Sequence, residues 1–278
     1  MSDLVSVLPH LPQLEESYSL TRADIAAFRR DGHILLKGVA SPAEVAAYQP
    51  TIKAAVERYN TEHRPVAERD TYAKAFLQIM NLWVRDEAVR RYTLARRFGK
   101  IAADLMGVKG IRIYHDQALF KEPGGGLTPW HQDQYYWPLD TDHTLTMWMP
   151  LIDVTPEMGT MVFASGSHAA GYLGDLPISD KSETIFKEFV REHGYQLKPA
   201  PVMAAGDATF HTGWTLHSAG SNQTAVLREV MTIIYVADGS HAIQPDNKHR
   251  ANDLRDWMPG LKPDDLVASP LNPLVYHE

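Results

Sequence analysis

The sequence has no cysteine, no long apolar run and no excess of basic residues, and each absence excludes a class of protein. Without cysteine, neither a disulfide scaffold nor a metal site built on thiolates can form. No uninterrupted apolar stretch approaches the ~20 residues that are needed to cross a bilayer. The 34 acidic residues outnumber the 27 basic ones, so we expect no nucleic-acid partner and no membrane partner.

The first residues also lack the features of a secretory signal. No lysine or arginine precedes Arg22, and Pro9 and Pro12 interrupt the short apolar runs before it. A signal peptide instead combines a basic start with a continuous apolar segment. Hydrophobic residues make up 44% of the chain and charged residues 22%, as in average globular proteins. We therefore expect a globular protein in the cytoplasm.

The order of the predicted elements indicates one domain over residues 1–278, with a helical part at about 20–107. Thr21 and Gly32 are typical of the two ends of a short helix. Ser41 and Glu44 have the capping-box spacing, with Pro42 in the first helical turn. A further helix is predicted from about Asp86 to Met106, and a buried strand over residues 33–36.

From Gly110 onward, short strand-like runs replace the helical patterns. They are separated by turn clusters and interrupted by one amphipathic helix at 182–193. Strands are predicted at 111–120, 144–152, 159–163, 208–210 and 226–236. We therefore expect a mainly β barrel over about 110–236, buttressed by the preceding helices. The proline-rich residues 237–278 are expected to form an irregular flap.

The segment Trp130–Pro138 carries the most informative chemistry. In an extended strand, alternate side chains share one face. His131 and Asp133 would then point the same way, with Cα atoms roughly 6.6 Å apart. An imidazole and a carboxylate at this spacing can occupy adjacent positions around one metal ion, and a second histidine would complete a 2-His-1-carboxylate site.

Two histidines compete for the third position, His211 and His217. The sequence after His217 favours it, because a predicted strand that contains Arg228 follows. On that strand, Arg228 shares a face with Val230 and Thr232, so its guanidinium group can project into the barrel. A buried guanidinium needs an anionic partner, and the far carboxylate of 2-oxoglutarate would supply one while the other end of the molecule chelates iron.

These residues, together with several flanking blocks, resemble the phytanoyl-CoA dioxygenase family. The resemblance spans roughly residues 20–236. It rests on His131-Gln132-Asp133 with Tyr136 and Pro138, Glu157-Met158-Gly159, Ser165-Gly166-Ser167-His168, and His217 with Arg228 eleven residues later. The opening segment Phe28–Leu36 also resembles the first helix and strand of the family.

The resemblance implies a double-stranded β-helix (jelly-roll or cupin-like) fold that uses Fe(II), 2-oxoglutarate and O2. His131, Asp133 and His217 match the iron ligands of the family. By position, Lys121 and Trp148 match residues that line the 2-oxoglutarate pocket. Gln117 lies on the same predicted strand as Lys121 and is a further candidate.

The implied reaction is hydroxylation of a C–H bond in a small molecule, with release of succinate and CO2. Halogenating relatives have a small residue in place of the carboxylate, so Asp133 favours hydroxylation. Tyr135 and Trp137 would contact the substrate, because strand alternation places them on the metal face. A cupin-like hydrolase or isomerase and a non-catalytic 2-oxoglutarate-binding protein are the alternatives. The oligomeric state is not predicted.

Overall fold

The computed structural model describes residues 11–278, and the first ten residues of the predicted domain lie outside it. Eight α-helices, four short 3-10 helices and eleven strands fall within the described residues. The helices are α1 (Arg22–Asp31), α2 (Pro42–Tyr59), α3 (Thr71–Ala75), α4 (Leu82–Arg85), α5 (Glu87–Thr93), α6 (Arg96–Met106), α7 (Asp180–Glu192) and α8 (Lys248–Trp257). The strands are β1 (His33–Leu36), β2 (Leu77–Met80), β3 (Gly110–Phe120), β4 (Thr128–His131), β5 (Thr144–Pro150), β6 (Met161–Ser165), β7 (Gln196–Pro199), β8 (Ala208–Thr212), β9 (His217–Ala219), β10 (Val230–Ala237) and β11 (Leu274–His277).

All strand pairs in this part of the chain are antiparallel and form two sheets. The larger sheet has the order β1-β8-β5-β10-β3-β11, with β2 also paired to β3, and the smaller sheet has the order β4-β9-β6-β7. Side chains from both sheets pack together between them, including Trp148 and Val230 from one and Met161 and Phe163 from the other. This two-sheet arrangement is the predicted jelly roll.

Helices α1, α2, α4, α5 and α6 cover the outer face of the larger sheet. Alternate side chains of β10 point outward into a core shared with the helices, as a period of two requires; they are Met231, Ile233 and Tyr235. Phe28 of α1 and Ile52 of α2 are buried in the same core. The helical buttress therefore holds the back of the sheet, and the other face of β10 is left to form the site.

The local sequence signals place the first helices correctly. In α1, the Thr21 side chain accepts from the Asp24 amide and Asp24 returns a bond to Thr21, while Gly32 ends the helix at φ 76°. The same reciprocal bonds link Ser41 and Glu44 at the start of α2. Such caps depend only on neighbours within one turn.

The helix predicted from Asp86 to Met106 is two helices, α5 and α6. The break falls at Leu94–Ala95, where Ala95 has the non-helical dihedral angles φ −59° and ψ 124°. The Arg97 amide, freed by the break, donates to the Leu14 carbonyl, and the Arg97 side chain pairs with Glu44. Contacts with distant segments therefore stabilise a break that has no glycine or proline to mark it.

Residues 237–278 are more regular than the irregular flap that was predicted. Helix α8 begins after Asn247, whose side chain accepts from two helix amides, and strand β11 pairs with β3. Pro259 and Gly260 follow the helix end. No helix among residues 11–278 has both the length and the hydropathy needed to cross a bilayer.

Candidate active site

The two histidines predicted to bind the metal lie opposite each other on neighbouring strands. His131 ends β4 and lies directly opposite His217, which begins β9. Their ring centroids are 4.1 Å apart. Directly opposed residues in an antiparallel pair bring their side chains together on one face. The register of β4 and β9 therefore places both imidazoles at one point.

Asp133 joins the histidines by a different geometry from the one predicted. Strand β4 ends at His131, and a 3-10 turn begins at Asp133. Gln132 between them is still extended, so the carboxylate remains on the same side as the His131 ring. The Oδ1 atom of Asp133 lies 3.4 Å from Nε2 of His131 and 3.7 Å from Nε2 of His217.

Backbone carbonyl groups fix the tautomer of both histidines. Nδ1 of His131 lies 2.7 Å from the Pro129 carbonyl oxygen, and Nδ1 of His217 lies 2.9 Å from that of Thr215. A carbonyl oxygen can only accept, so each Nδ1 carries the proton. Each Nε2 therefore directs a lone pair toward Asp133, as in a metal-ligating imidazole whose other nitrogen is anchored.

The Asp133 carboxylate is held in its charged form. Burial acts to raise its pKa, but the surrounding imidazoles of His217, His131 and His211 outweigh burial and hold the pKa well below the ordinary value. The Thr146 hydroxyl also donates to Oδ2. Two imidazole nitrogens and an ionised carboxylate, with donor atoms all within 4.8 Å of one another, suit a divalent iron ion.

Arg228 is a buried cation without an anionic partner in the described chain. It is 1% exposed, and its terminal nitrogens donate to the backbone carbonyls of Gly159 and Leu119. Its Nε has no hydrogen-bond partner in the described structure, and burial lowers its pKa to about 9. A buried charge of this kind is costly unless a ligand pairs with it. The site therefore fits a dicarboxylate such as 2-oxoglutarate.

Trp148 and Gln117 lie in the wall of the same cavity. The Arg228 guanidinium carbon is 5.4 Å from the centroid of the Trp148 ring, within range of a cation–π contact. Gln117 accepts a hydrogen bond from the Gln78 amide at 2.7 Å. The structure thus brings both candidates to the cavity.

Lys121 lies elsewhere. Its side chain is completely buried, and Nζ donates to the carbonyls of Gly126 and Gly220 at 2.6 and 2.7 Å. It is not among the residues that line the cavity. The Lys121 backbone pairs with that of Arg228, and the ammonium group joins the two loops that carry these carbonyls.

The 3-10 turn also changes which aromatic residues face the cavity. Trp137 lines it as predicted, together with Tyr136, whereas Tyr135 does not. The Tyr135 hydroxyl donates to Asp175 at 2.6 Å. Strand alternation placed Tyr135 inward and Tyr136 outward, and it fails here because the strand stops at His131.

The cavity above the triad has a volume of about 440 Å³. Sequence reasoning missed two of its walls. One is formed by α3 and β2, through Tyr72, Phe76, Gln78 and Met80, and the other by α8, through His249, Asn252, Asp253, Asp256 and Trp257. The signal for α8 was present, since Asn247 precedes it and Pro259 follows it. His211, considered as a ligand or a pocket wall, lines the cavity and contacts Asp133.

Solved structures of low sequence identity share this architecture. The epimerase SnoN in complex with Fe3+, alpha ketoglutarate and nogalamycin RO superposes with a TM-score of 0.74 at 25% identity, covering 91% of this chain and 97% of that one. The carbocyclase SnoK from nogalamycin biosynthesis gives a TM-score of 0.75 at 24% identity, covering 92% and 96%. These matches confirm the predicted double-stranded β-helix.

Proteins related in sequence have names that match the chemistry of the site. Phytanoyl-CoA dioxygenase domain-containing protein 1 of Danio rerio is 24% identical over 82% of this chain and 94% of its own length. The ectoine dioxygenase of Streptomyces coelicolor is 23% identical over 81% of each chain. The family model named phytanoyl-CoA dioxygenase matches residues 28–230. The chain belongs to the phytanoyl-CoA dioxygenase family and is a non-haem iron dioxygenase that uses 2-oxoglutarate.

Proposed function

We propose that this dioxygenase hydroxylates a C–H bond of a small-molecule metabolite and releases succinate and CO2. The observation that carries the proposal is the position of the triad at one wall of the cavity, with an intact Asp133 and an unpaired Arg228 beside it. In this proposal His131, Asp133 and His217 hold the iron. Cytoplasmic localisation stays a prediction from composition.

The residues of the chain bind and orient the reactants. The Arg228 guanidinium would take the far carboxylate of 2-oxoglutarate, with the Trp148 ring against its face. Trp137 and Tyr136 form the wall on the substrate side, where they exclude water and direct one C–H bond toward the metal. Iron and 2-oxoglutarate, when bound, supply the oxidation itself.

A first experiment tests the cosubstrate site without any substrate. Under anaerobic conditions we expect a visible metal-to-ligand charge-transfer band only when Fe(II) and 2-oxoglutarate are both present. The His131→Ala variant should lose the band while keeping its far-ultraviolet circular dichroism. A band of full intensity in this variant would contradict the assigned ligands.

A second experiment tests the reaction type. In hydroxylation with labelled O2, one labelled oxygen atom enters succinate and the other enters the product. Epimerisation, desaturation or cyclisation would oxidise 2-oxoglutarate but leave the product without the label. These outcomes are pertinent because structures of an epimerase and a carbocyclase share the fold. A product that forms without labelled oxygen would overturn the hydroxylation proposal.

A further inference from the structure

One end of the cavity is acidic and is formed by α8 and β3. Strand β3 contains a bulge, because Ile234 of β10 pairs with His115 and the next residue, Tyr235, pairs with Ile113. Tyr114 therefore has no paired residue on β10. Bulges redirect side chains, and here Tyr114 and His115 both reach the side of the sheet that α8 covers.

The bulge positions Asp253 of α8. The Tyr114 hydroxyl donates to Oδ2 of Asp253 at 2.9 Å, and the Trp257 side chain lies one helical turn further along the cavity wall. His115 is 2% exposed, its ring centroid is 5.5 Å from that of Trp257, and its Nδ1 lacks a hydrogen-bond partner in the described residues. A carboxylate, an indole and an unpartnered imidazole nitrogen thus meet at one end of the cavity.

Asp253 has no basic partner. Among residues 11–278 no arginine, lysine or histidine lies within ion-pair distance of it. Asp256, the other acidic residue at this end, is paired with Arg255 at 2.6 Å. Burial raises the pKa of Asp253 to about 7, a shift that hydrogen bonding to Tyr114 and Trp257 reduces and the charge of Asp256 increases. A cation bound against this carboxylate would reverse that shift.

The rest of the cavity offers nothing to an anionic substrate. With iron and 2-oxoglutarate bound, the charges of iron(II), Asp133, Arg228 and the two carboxylates of the cosubstrate cancel. Burial lowers the pKa of His115 to about 3 and also lowers that of His249, so both rings are neutral near pH 7. No lysine lines the cavity in the described part of the chain.

We propose that the substrate carries a basic nitrogen, which binds as an ammonium group between the Asp253 carboxylate and the Trp257 ring. This inference rests on the proposed small-molecule oxidation and adds the charge class of the substrate. The carboxylate supplies a charge-assisted hydrogen bond, and the indole face supplies a cation–π contact.

The test uses matched probes on the anaerobic enzyme loaded with Fe(II) and saturating 2-oxoglutarate. The probes are 2-phenylethylamine, 2-phenylethanol and 3-phenylpropionate, and their dissociation constants are measured by calorimetry and by quenching of tryptophan fluorescence. We expect the amine to bind at least about tenfold more tightly than the alcohol, and the carboxylate to bind most weakly. If the wild-type enzyme binds the amine and the alcohol with equal affinity, the proposal is wrong.

The variant Asp253→Asn tests whether the preference for the amine over the alcohol depends on Asp253. We expect it to remove the amine preference while the charge-transfer band of Fe(II) and 2-oxoglutarate is retained. Asp256→Asn on the same helix should cause a smaller loss, because Arg255 already neutralises that carboxylate. A preference that survives Asp253→Asn would overturn the proposal. If labelled oxygen fails to enter the product while the amine preference holds, the reaction type is wrong and the charge class stands.

Discussion

The Nε2 atom of His211 lies 3.2 Å from Oδ2 of Asp133. An ionised carboxylate can only accept, so this nitrogen carries the proton of the ring. Thr146 donates to the same oxygen at 2.9 Å. With Oδ2 engaged twice, Oδ1 is the oxygen that faces the nitrogen atoms of His131 and His217. The histidine that competed for the ligand position therefore orients the carboxylate.

The Thr146→Val variant should bind metal more weakly. Valine keeps the shape of threonine but removes the bond that orients Asp133, and losses of this type typically weaken metal binding by about 10- to 100-fold. Titration of the apo-enzyme with Mn(II), followed by electron paramagnetic resonance, measures the change. Thr209→Val is the matched control, because the Thr209 hydroxyl is buried without a hydrogen-bond partner in the described structure. Equal losses in both variants would contradict the orienting role.

The Arg228→Lys variant should lose affinity for 2-oxoglutarate while keeping its metal. A lysine retains the charge but cannot form the two-pronged bond to a carboxylate, so we expect the dissociation constant of 2-oxoglutarate to rise by about tenfold or more. Anaerobic titration of the charge-transfer band measures it. Unchanged cosubstrate affinity would show that the buried guanidinium has a structural task only.

The Lys121→Met variant should affect stability and leave cosubstrate affinity nearly unchanged. The substitution leaves the carbonyls of Gly126 and Gly220 without their donor, which costs about 1–3 kcal/mol for each group that stays buried. Urea unfolding measures the loss. A large rise in the dissociation constant of 2-oxoglutarate, with little change in stability, would instead favour the pocket role that family resemblance implied.

The Asp116→Ala variant should be among the more destabilising substitutions behind the site. The buried carboxylate accepts from the amides of Leu82 and Trp83 and from the Thr93 hydroxyl, and so ties α4 and α5 to β3. Removing it leaves three donors unpaired, and we expect a loss of about 2–4 kcal/mol in the free energy of unfolding. Mn(II) affinity of the folded fraction should not change, since Asp116 points away from the cavity.

Metal and cosubstrate together should stabilise the folded chain. A ligand present at 100 times its dissociation constant adds about 2.7 kcal/mol to the free energy of unfolding. We expect Mn(II) with 2-oxoglutarate to raise the melting temperature of the wild-type protein, and a chelator to reverse the rise. The His131→Ala variant should show little increase, and an undiminished increase would place the metal elsewhere.

The sequence by itself determined the parts that depend on near neighbours and on motif spacing. The caps of α1 and α2 form within one turn, so Thr21 and Ser41 could be read directly. His131, Asp133 and His217 were identified by chemistry and spacing together, and they converge in the structure. Arg228 was predicted because a buried cation on an inward strand face requires an anion.

Only the tertiary structure decided how the second layer of the site is arranged. The contact of His211 with Asp133 depends on the register of β8 against β5, and Lys121 binds the carbonyls of Gly126 and Gly220 instead of lining the cavity. The acidic end of the cavity requires a bulge in β3 to meet α8, which lies more than a hundred residues later. These arrangements are set by packing between segments remote in sequence, and packing of that kind leaves no local pattern to read.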